Sequence, residues 1–226
     1  STRPESLSEH TADTAMLAHT LCLIGRHCTG TGAALRPEVV ATAAIYHDAP
    51  EILTGDMPTP VKYKNDALRT AYKAVEHESA RVMASLQPEE LQAETQVWLT
   101  GSVLNDAERK ILKAADRLSA VIKCIEEDRG GNREFEAAYA QQMAALHTMH
   151  SPEAEYFIEH MLPCYEQNLD ELTRGTAFFC LQSRKRTRAT PSLRRAAFVC
   201  SMARQTTAPF LMIRCGQAIT RTTPPQ

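Results

Sequence analysis

"AIYHDAPEILTGDMPTPVKY", residues 44–63, is the stretch on which the fold turns. Its apolar start, Ala44-Ile45-Tyr46, runs directly onto His47-Asp48, and Glu51 follows three residues later. The next residues, Thr54-Gly55-Asp56-Met57-Pro58-Thr59-Pro60, cannot continue a helix. Neighbouring side chains on a helix diverge by about 100°, so His47 and Asp48 can address one point only where a helix ends and its backbone loosens. A neutral imidazole and a carboxylate are ordinary ligands for a borderline divalent metal such as Zn, Mn, Fe or Co. A usable site needs two more ligands, from helix faces elsewhere in the chain that point inward.

The flanking sequence supplies such faces. In "LSEHTADTAMLAHTLCLIGRHC", His10, Leu17, Leu21 and Ile24 fall near one side of a helix, with Ser8 as the expected N-cap and the Gly-rich "CTGTGAA" as its stop. "RPEVVATAAIYHD" starts the next helix, with Pro37 suited to the first turn. "NDALRTAYKAVEHESARVMASL" reads as a long amphipathic helix with Leu68, Tyr72, Val75 and Val82 on one side. "PEELQAETQVWL" opens with Pro and acids, as helix starts do. "NDAERKILKAADRLSAVIKCIEED" has the strongest periodicity and is stopped by Gly130-Gly131. "NREFEAAYAQQMAALHTMH" and "SPEAEYFIEHMLPCYEQNLDEL" complete six or seven helices. Neither a hairpin series nor a βαβ alternation is present, and no internal repeat is detectable. The expected class is an all-α bundle occupying residues 1–173.

Charge divides the chain at the same place. Residues 1–173 hold 15 Lys and Arg against all 27 Asp and Glu, a net charge of −12. Residues 174–226 hold the other 10 basic residues and no acid, and show no sustained periodicity. That tail is expected to be disordered or poorly docked; it lacks the aromatic interleaving and the recognised modules of a nucleic-acid arm. The 7 cysteines form no CxxC and no regular spacing, as in a reducing, cytoplasmic protein. No apolar run is long enough to span a membrane, and no secretory leader is recognisable.

Asp116 sits in "ILKAADRLSAVI", between Ile111-Leu112 and Leu118-Ile122, where an ionised carboxylate needs a partner. A metal would provide one. His19, His27, His77, His147, His150 and His160 each read as ordinary core or surface histidines, and the sole Trp, Trp98, as core.

The order His10, His47-Asp48, Asp116 on successive helices resembles the signature of the HD-domain superfamily of metal-dependent phosphohydrolases. "SEHT", "YHDAPEILTGDMPTPVKY", "KAADRLSAVIKCIEE" and "NREF" are similar to its bacterial 5'-deoxynucleotidase branch, from about Arg3 to Leu172. The resemblance implies an HD-domain helical bundle in which His10, His47, Asp48 and Asp116 hold one divalent metal cation (Co, Mn, Zn, Mg or Fe). It implies Glu51 as general acid/base or water-orienting group, and Asp56, Met57, Pro58 and Thr59 as the nucleotide pocket, with Asp56 reading the sugar. The activity implied is hydrolysis of deoxyribonucleoside 5'-monophosphates to deoxynucleoside and phosphate by a homodimer. Members of the branch carry an Arg-Trp pair well upstream of the first metal His, its Arg contacting the substrate phosphate. Nine residues precede His10 here and none is Trp, so the domain is expected to lack the branch's first helix. The basic tail has no counterpart in the branch.

Two other readings compete. An HD-fold nucleotide pyro- or triphosphohydrolase would need extra basic residues for a longer phosphate chain, which a body at −12 does not advertise. A non-catalytic nucleotide- or nucleic-acid-binding protein would use the tail as its contact.

Overall fold

The structure is a computed structural model and describes residues 1–55, 64–168 and 170. Asp56, Met57, Pro58, Thr59 and the basic tail lie outside the described residues. Within them every regular element is helical: α1 (Leu7–Ile24), α2 (Pro37–Tyr46), α3 (Glu51–Thr54), α4 (Asp66–Ser85), α5 (Glu89–Leu99), α6 (Asp106–Arg129), α7 (Glu136–Thr148), α8 (Pro152–His160) and α9 (Pro163–Glu166). Seven of these described helices have nine or more residues, which is the all-α bundle expected from the periodicity.

Local chemistry fixes the helix ends. The α1 cap is Ser6 and not Ser8: Ser6 and Glu9 form a reciprocal capping box, which Ser8 cannot do without an acid or amide at residue 11. Beyond Ile24 the chain widens into a π-helical turn, Gly25–Thr29, closed by Gly30 in the left-handed conformation. Gly32 folds back on that turn, its N–H donating to the Gly25 carbonyl at 2.9 Å. A Cβ on Gly32 would meet the Gly25 carbonyl carbon at 2.6 Å, so only glycine closes this return. Pro37 begins α2, as the sequence predicts. Between α8 and α9 the expected single helix breaks, because Pro163 has no N–H to continue the ladder.

The core forms where α1 crosses both α2 and α6. Leu17, Ala18, Leu21 and Cys22 of α1 pack with Val40, Ala43 and Ala44 of α2 and with Ala114, Ala115, Leu118 and Val121 of α6. The alanines on α2 and α6 let the helix axes approach closely. Phe157 of α8 and Leu146 of α7 close the far side. Helix α4 keeps part of its predicted face: Tyr72 is buried and Leu68 and Val82 are half-buried, but Val75 is 50% exposed, and Ser79, Ala80 and Ala84 are buried in its place. Small residues make that contact, so the strongest hydrophobes do not mark it. Trp98 is partly buried against the core and lies 6.4 Å from the Tyr46 ring, centroid to centroid.

A fully buried carboxylate ties α2 to α6. Glu108 caps α6 from position N3, its backbone N–H donating to Asn105 Oδ1 at 2.9 Å and its Oε2 accepting from Asn105 N at 3.1 Å. The same carboxylate accepts from Arg36 Nε at 2.8 Å, Arg36 Nη2 at 2.6 Å and the Arg36 backbone N–H at 3.1 Å. Arg36 immediately precedes α2, so this fork sets where α2 starts relative to α6. Replacing Glu108 by Ala strands these donors and should cost about 2–3 kcal/mol, read as a lower urea midpoint at unchanged slope. A loss below about 0.5 kcal/mol would show that the fork is incidental.

Candidate metal centre

Helix α2 ends at Tyr46, and from there the chain winds in tighter turns. The Ala49 N–H donates to the Tyr46 carbonyl, the Glu51 N–H to that of Asp48 at 2.9 Å, and the Ile52 N–H to that of Ala49. His47 and Asp48 stand at this transition. His47 Nδ1 donates to the Ala44 carbonyl at 2.6 Å, one of the last-turn carbonyls of α2. That bond places the ring proton on Nδ1 and leaves Nε2 with a free lone pair. Nε2 is buried and makes no aligned hydrogen bond, although Asp48 Oδ2 lies 3.1 Å away.

The other helices deliver their groups to the same point. His10 comes from the first turns of α1, its ring 5.4 Å from that of His47. His10 Nε2 is 3.3 Å from Asp48 Oδ2 and 3.4 Å from Asp116 Oδ1, and His47 Nε2 is 4.0 Å from Asp116 Oδ1. One donor atom from each of His10, His47, Asp48 and Asp116 lies within 4.8 Å of all the others, a group that could hold a metal ion. Four hard-to-borderline donors with an orphaned, buried imidazole nitrogen among them fit a divalent cation. Asp116 is less enclosed than its apolar neighbours suggest: its side chain is 45% exposed, facing the other three groups.

The electrostatics are those of a cation site. Burial works against charge on both imidazoles, yet the carboxylates outweigh it. Asp116 and Asp48 push His10 up to about 10, and Asp48 with Asp116 also raises His47. Burial likewise opposes ionisation of Asp48, but the two imidazoles hold its carboxyl well below the usual carboxylate range.

Of the remaining residues singled out in the sequence, Glu51 is half-buried and opens α3, one turn after Asp48. Asp56, Met57, Pro58 and Thr59 are outside the described residues. Two groups behind His10 carry no sequence signal of their own. Ser119 Oγ lies 3.5 Å and Glu5 Oε2 3.9 Å from His10 Nδ1. Ser119 follows Asp116 by three residues, the helical spacing that could have pointed to it.

In metal-free protein a proton does part of the cation's work, with a definite sign. His10 is protonated in both states below its ordinary value near 6.5, and only the folded state keeps that proton up to about 10. Its stabilising effect is therefore complete below about 6.5 and disappears as pH rises to about 10. In EDTA, the Tm advantage of wild type over His10→Gln should shrink across that window. A gap independent of pH would contradict the pairing.

Comparison with known proteins accords with this geometry. A family model described as 5'-deoxynucleotidase YfbR-like matches residues 1–165. A 5'-deoxynucleotidase of Pectobacterium atrosepticum is 40% identical over 175 residues, covering 77% of this chain and 86% of that protein. The 5'-deoxynucleotidase YfbR of Escherichia coli is 38% identical over 174 residues, with the same two coverages, 77% and 86%. The crystal structure of an HD-domain phosphohydrolase from Listeria innocua superposes with a TM-score of 0.63 at 23% identity, covering 80% of this chain and 88% of that one. That likeness establishes the helical architecture. The sequence matches go further, and by them the chain belongs to the YfbR-like family of 5'-deoxynucleotidases, with the HD-domain fold.

Proposed function

We propose that this protein hydrolyses deoxyribonucleoside 5'-monophosphates to deoxynucleoside and inorganic phosphate, with one divalent cation held by His10, His47, Asp48 and Asp116. The observation that carries the reading is the meeting of these four donor sets within 4.8 Å, around a buried imidazole nitrogen that has no hydrogen-bond partner. When bound, the cation neutralises phosphoryl charge and makes water a better nucleophile near neutral pH. It also answers a charge problem, since an acidic body would otherwise repel a phosphomonoester that carries about two negative charges.

The chain's own groups do the rest. Glu51 takes the proton of the attacking water as the bond to phosphorus forms, and returns it to the 5'-oxygen as the bond between that oxygen and phosphorus breaks. The tight turns after α2 support this role: under hydrogen bonding of residue i to i+3, side chains three apart align, and Glu51 is three residues after Asp48. Asp56, Met57, Pro58 and Thr59 line the nucleotide pocket, with Asp56 accepting from the deoxyribose. Discrimination against ribonucleotides follows in this reading from a ribose 2'-hydroxyl that finds no hydrogen-bond partner there.

The protein acts as a cytoplasmic homodimer in this reading. The exposed Ile45, Ile52 and Leu53 support an apolar contact surface, and among the described residues no helix is long and apolar enough to cross a membrane. Residues 174–226 take no part in turnover or in nucleic-acid binding.

Glu51→Gln should lower phosphate release from dAMP by about 10²–10⁴-fold while dAMP binding persists. Unchanged release would remove Glu51 from the chemistry. Wild type should prefer 5'-dNMPs over 5'-NMPs and 3'-dNMPs, and equal rates on ribo- and deoxyribonucleotides would refute the pocket assignment. Deleting residues 174–226 should leave turnover within about twofold; a tenfold loss would assign the tail a part in catalysis.

A further inference from the structure

An imidazole that ligates through Nε2 carries its proton on Nδ1, and a covered Nδ1–H needs an acceptor. For His47 that acceptor is the Ala44 carbonyl at 2.6 Å. Among the described residues no carbonyl accepts from His10 Nδ1. Its side chain is only 17% exposed, and the oxygens recorded on its Nδ1 side are Ser119 Oγ at 3.5 Å and Glu5 Oε2 at 3.9 Å. Ser119 is 4% exposed. It lies one turn from Asp116, so α6 addresses both nitrogens of the same ring.

Glu5 is brought there by a strap. Residues 1–3 run along α6, where the buried Glu127 carboxylate accepts from Ser1 Oγ at 2.6 Å and from Thr2 N and Thr2 Oγ1, each at 2.8 Å. Lys123 Nζ donates to the Arg3 carbonyl at 2.6 Å and pairs with Glu127 at 3.4 Å. Asp116, Ser119, Lys123 and Glu127 are spaced by three, four and four residues, so they form one polar stripe along α6. Its upper end meets the metal centre and its lower end fastens the segment that carries Glu5. Ser6, next in the chain, caps α1, the helix that bears His10.

We propose that Glu5 and Ser119 are the positioning residues of the centre: with Ser119 Oγ at 3.5 Å and the Glu5 carboxylate at 3.9 Å, they hold the Nδ1 proton of His10 between them and so fix the ring with Nε2 toward Asp48 and Asp116. The inference rests on the reading of His10 as a ligand. It concerns orientation of that ligand and leaves the phosphoryl chemistry to other residues.

The test uses the full chain, stripped of metal and titrated with Mn²⁺ by calorimetry. Glu5→Ala should weaken Mn²⁺ binding by about 10–100-fold. Glu5→Gln, which keeps a carbonyl oxygen, should stay within about threefold of wild type. A second readout is the imidazole nitrogen NMR spectrum of Zn²⁺-loaded protein, in which His10 should carry its proton on Nδ1 in wild type and in Glu5→Gln. Wild-type affinity in Glu5→Ala would overturn the assignment, and so would an equal loss in Glu5→Gln. If wild type binds Mn²⁺ with this dependence on Glu5 yet releases no phosphate from dNMPs, the nucleotidase reading falls and the role of Glu5 stands.

Discussion

His10 Nε2 lies 3.3 Å from one carboxylate and 3.4 Å from another, the first from the turn after α2 and the second from α6. That juxtaposition constrains how the helices of the bundle meet. It requires α1 to cross α2 at the end of the latter and α6 near its middle. The buried alanines on α2 and α6 permit the approach, and the Arg36–Glu108 fork sets the offset between the two. Without a cation the arrangement survives by borrowing a proton, which is why the imidazoles are raised and Asp48 is held down. A site that holds Asp48 ionised beside a second carboxylate in a partly covered place is prepared for a positive charge of fixed position.

Helix α6 organises most of what surrounds the centre. Its first turn clamps α2 through Glu108, its middle supplies Asp116 and Ser119, and its last turns secure residues 1–3 through Lys123 and Glu127. Three jobs on one helix, distributed over different turns, mean that a shift of α6 would disturb ligand, ligand orientation and helix offset together. Substitutions at Glu108 or Glu127, far from the candidate metal centre, can therefore reach it through geometry.

Much of this was legible in the sequence, and for physical reasons. His47-Asp48 at the failing end of an apolar face, and His10 and Asp116 on periodic faces, are residues whose cost of burial demands a common explanation. The helices were legible from period and from Pro and Gly punctuation, and Pro37 and Gly130 fall where those rules put them. The misses follow from what periodicity does not see. Ser8 was the expected cap because it adjoins the apolar run, whereas the reciprocal partner Glu9 selects Ser6. Val75 looked like a core residue, but α4 packs through Ser79, Ala80 and Ala84, and small residues carry little hydrophobic signal. Glu5 was invisible, and Ser119 marked only by its spacing from Asp116, because their relation to His10 exists only once α1 and α6 are side by side. The Glu108 clamp was half legible: Asn105-x-x-Glu108 is a capping box on sight, while its bond to Arg36 spans 72 residues.

The central claim is that four side chains from three parts of the chain make one cation site. Metal content per chain after equilibration with Mn²⁺ or Co²⁺ and removal of excess tests it most directly. About one ion per chain is expected in wild type, and near none when His47 is replaced by Ala or Asp116 by Asn, with each variant still helical by circular dichroism. Retention of a full equivalent of metal by both folded variants would contradict it.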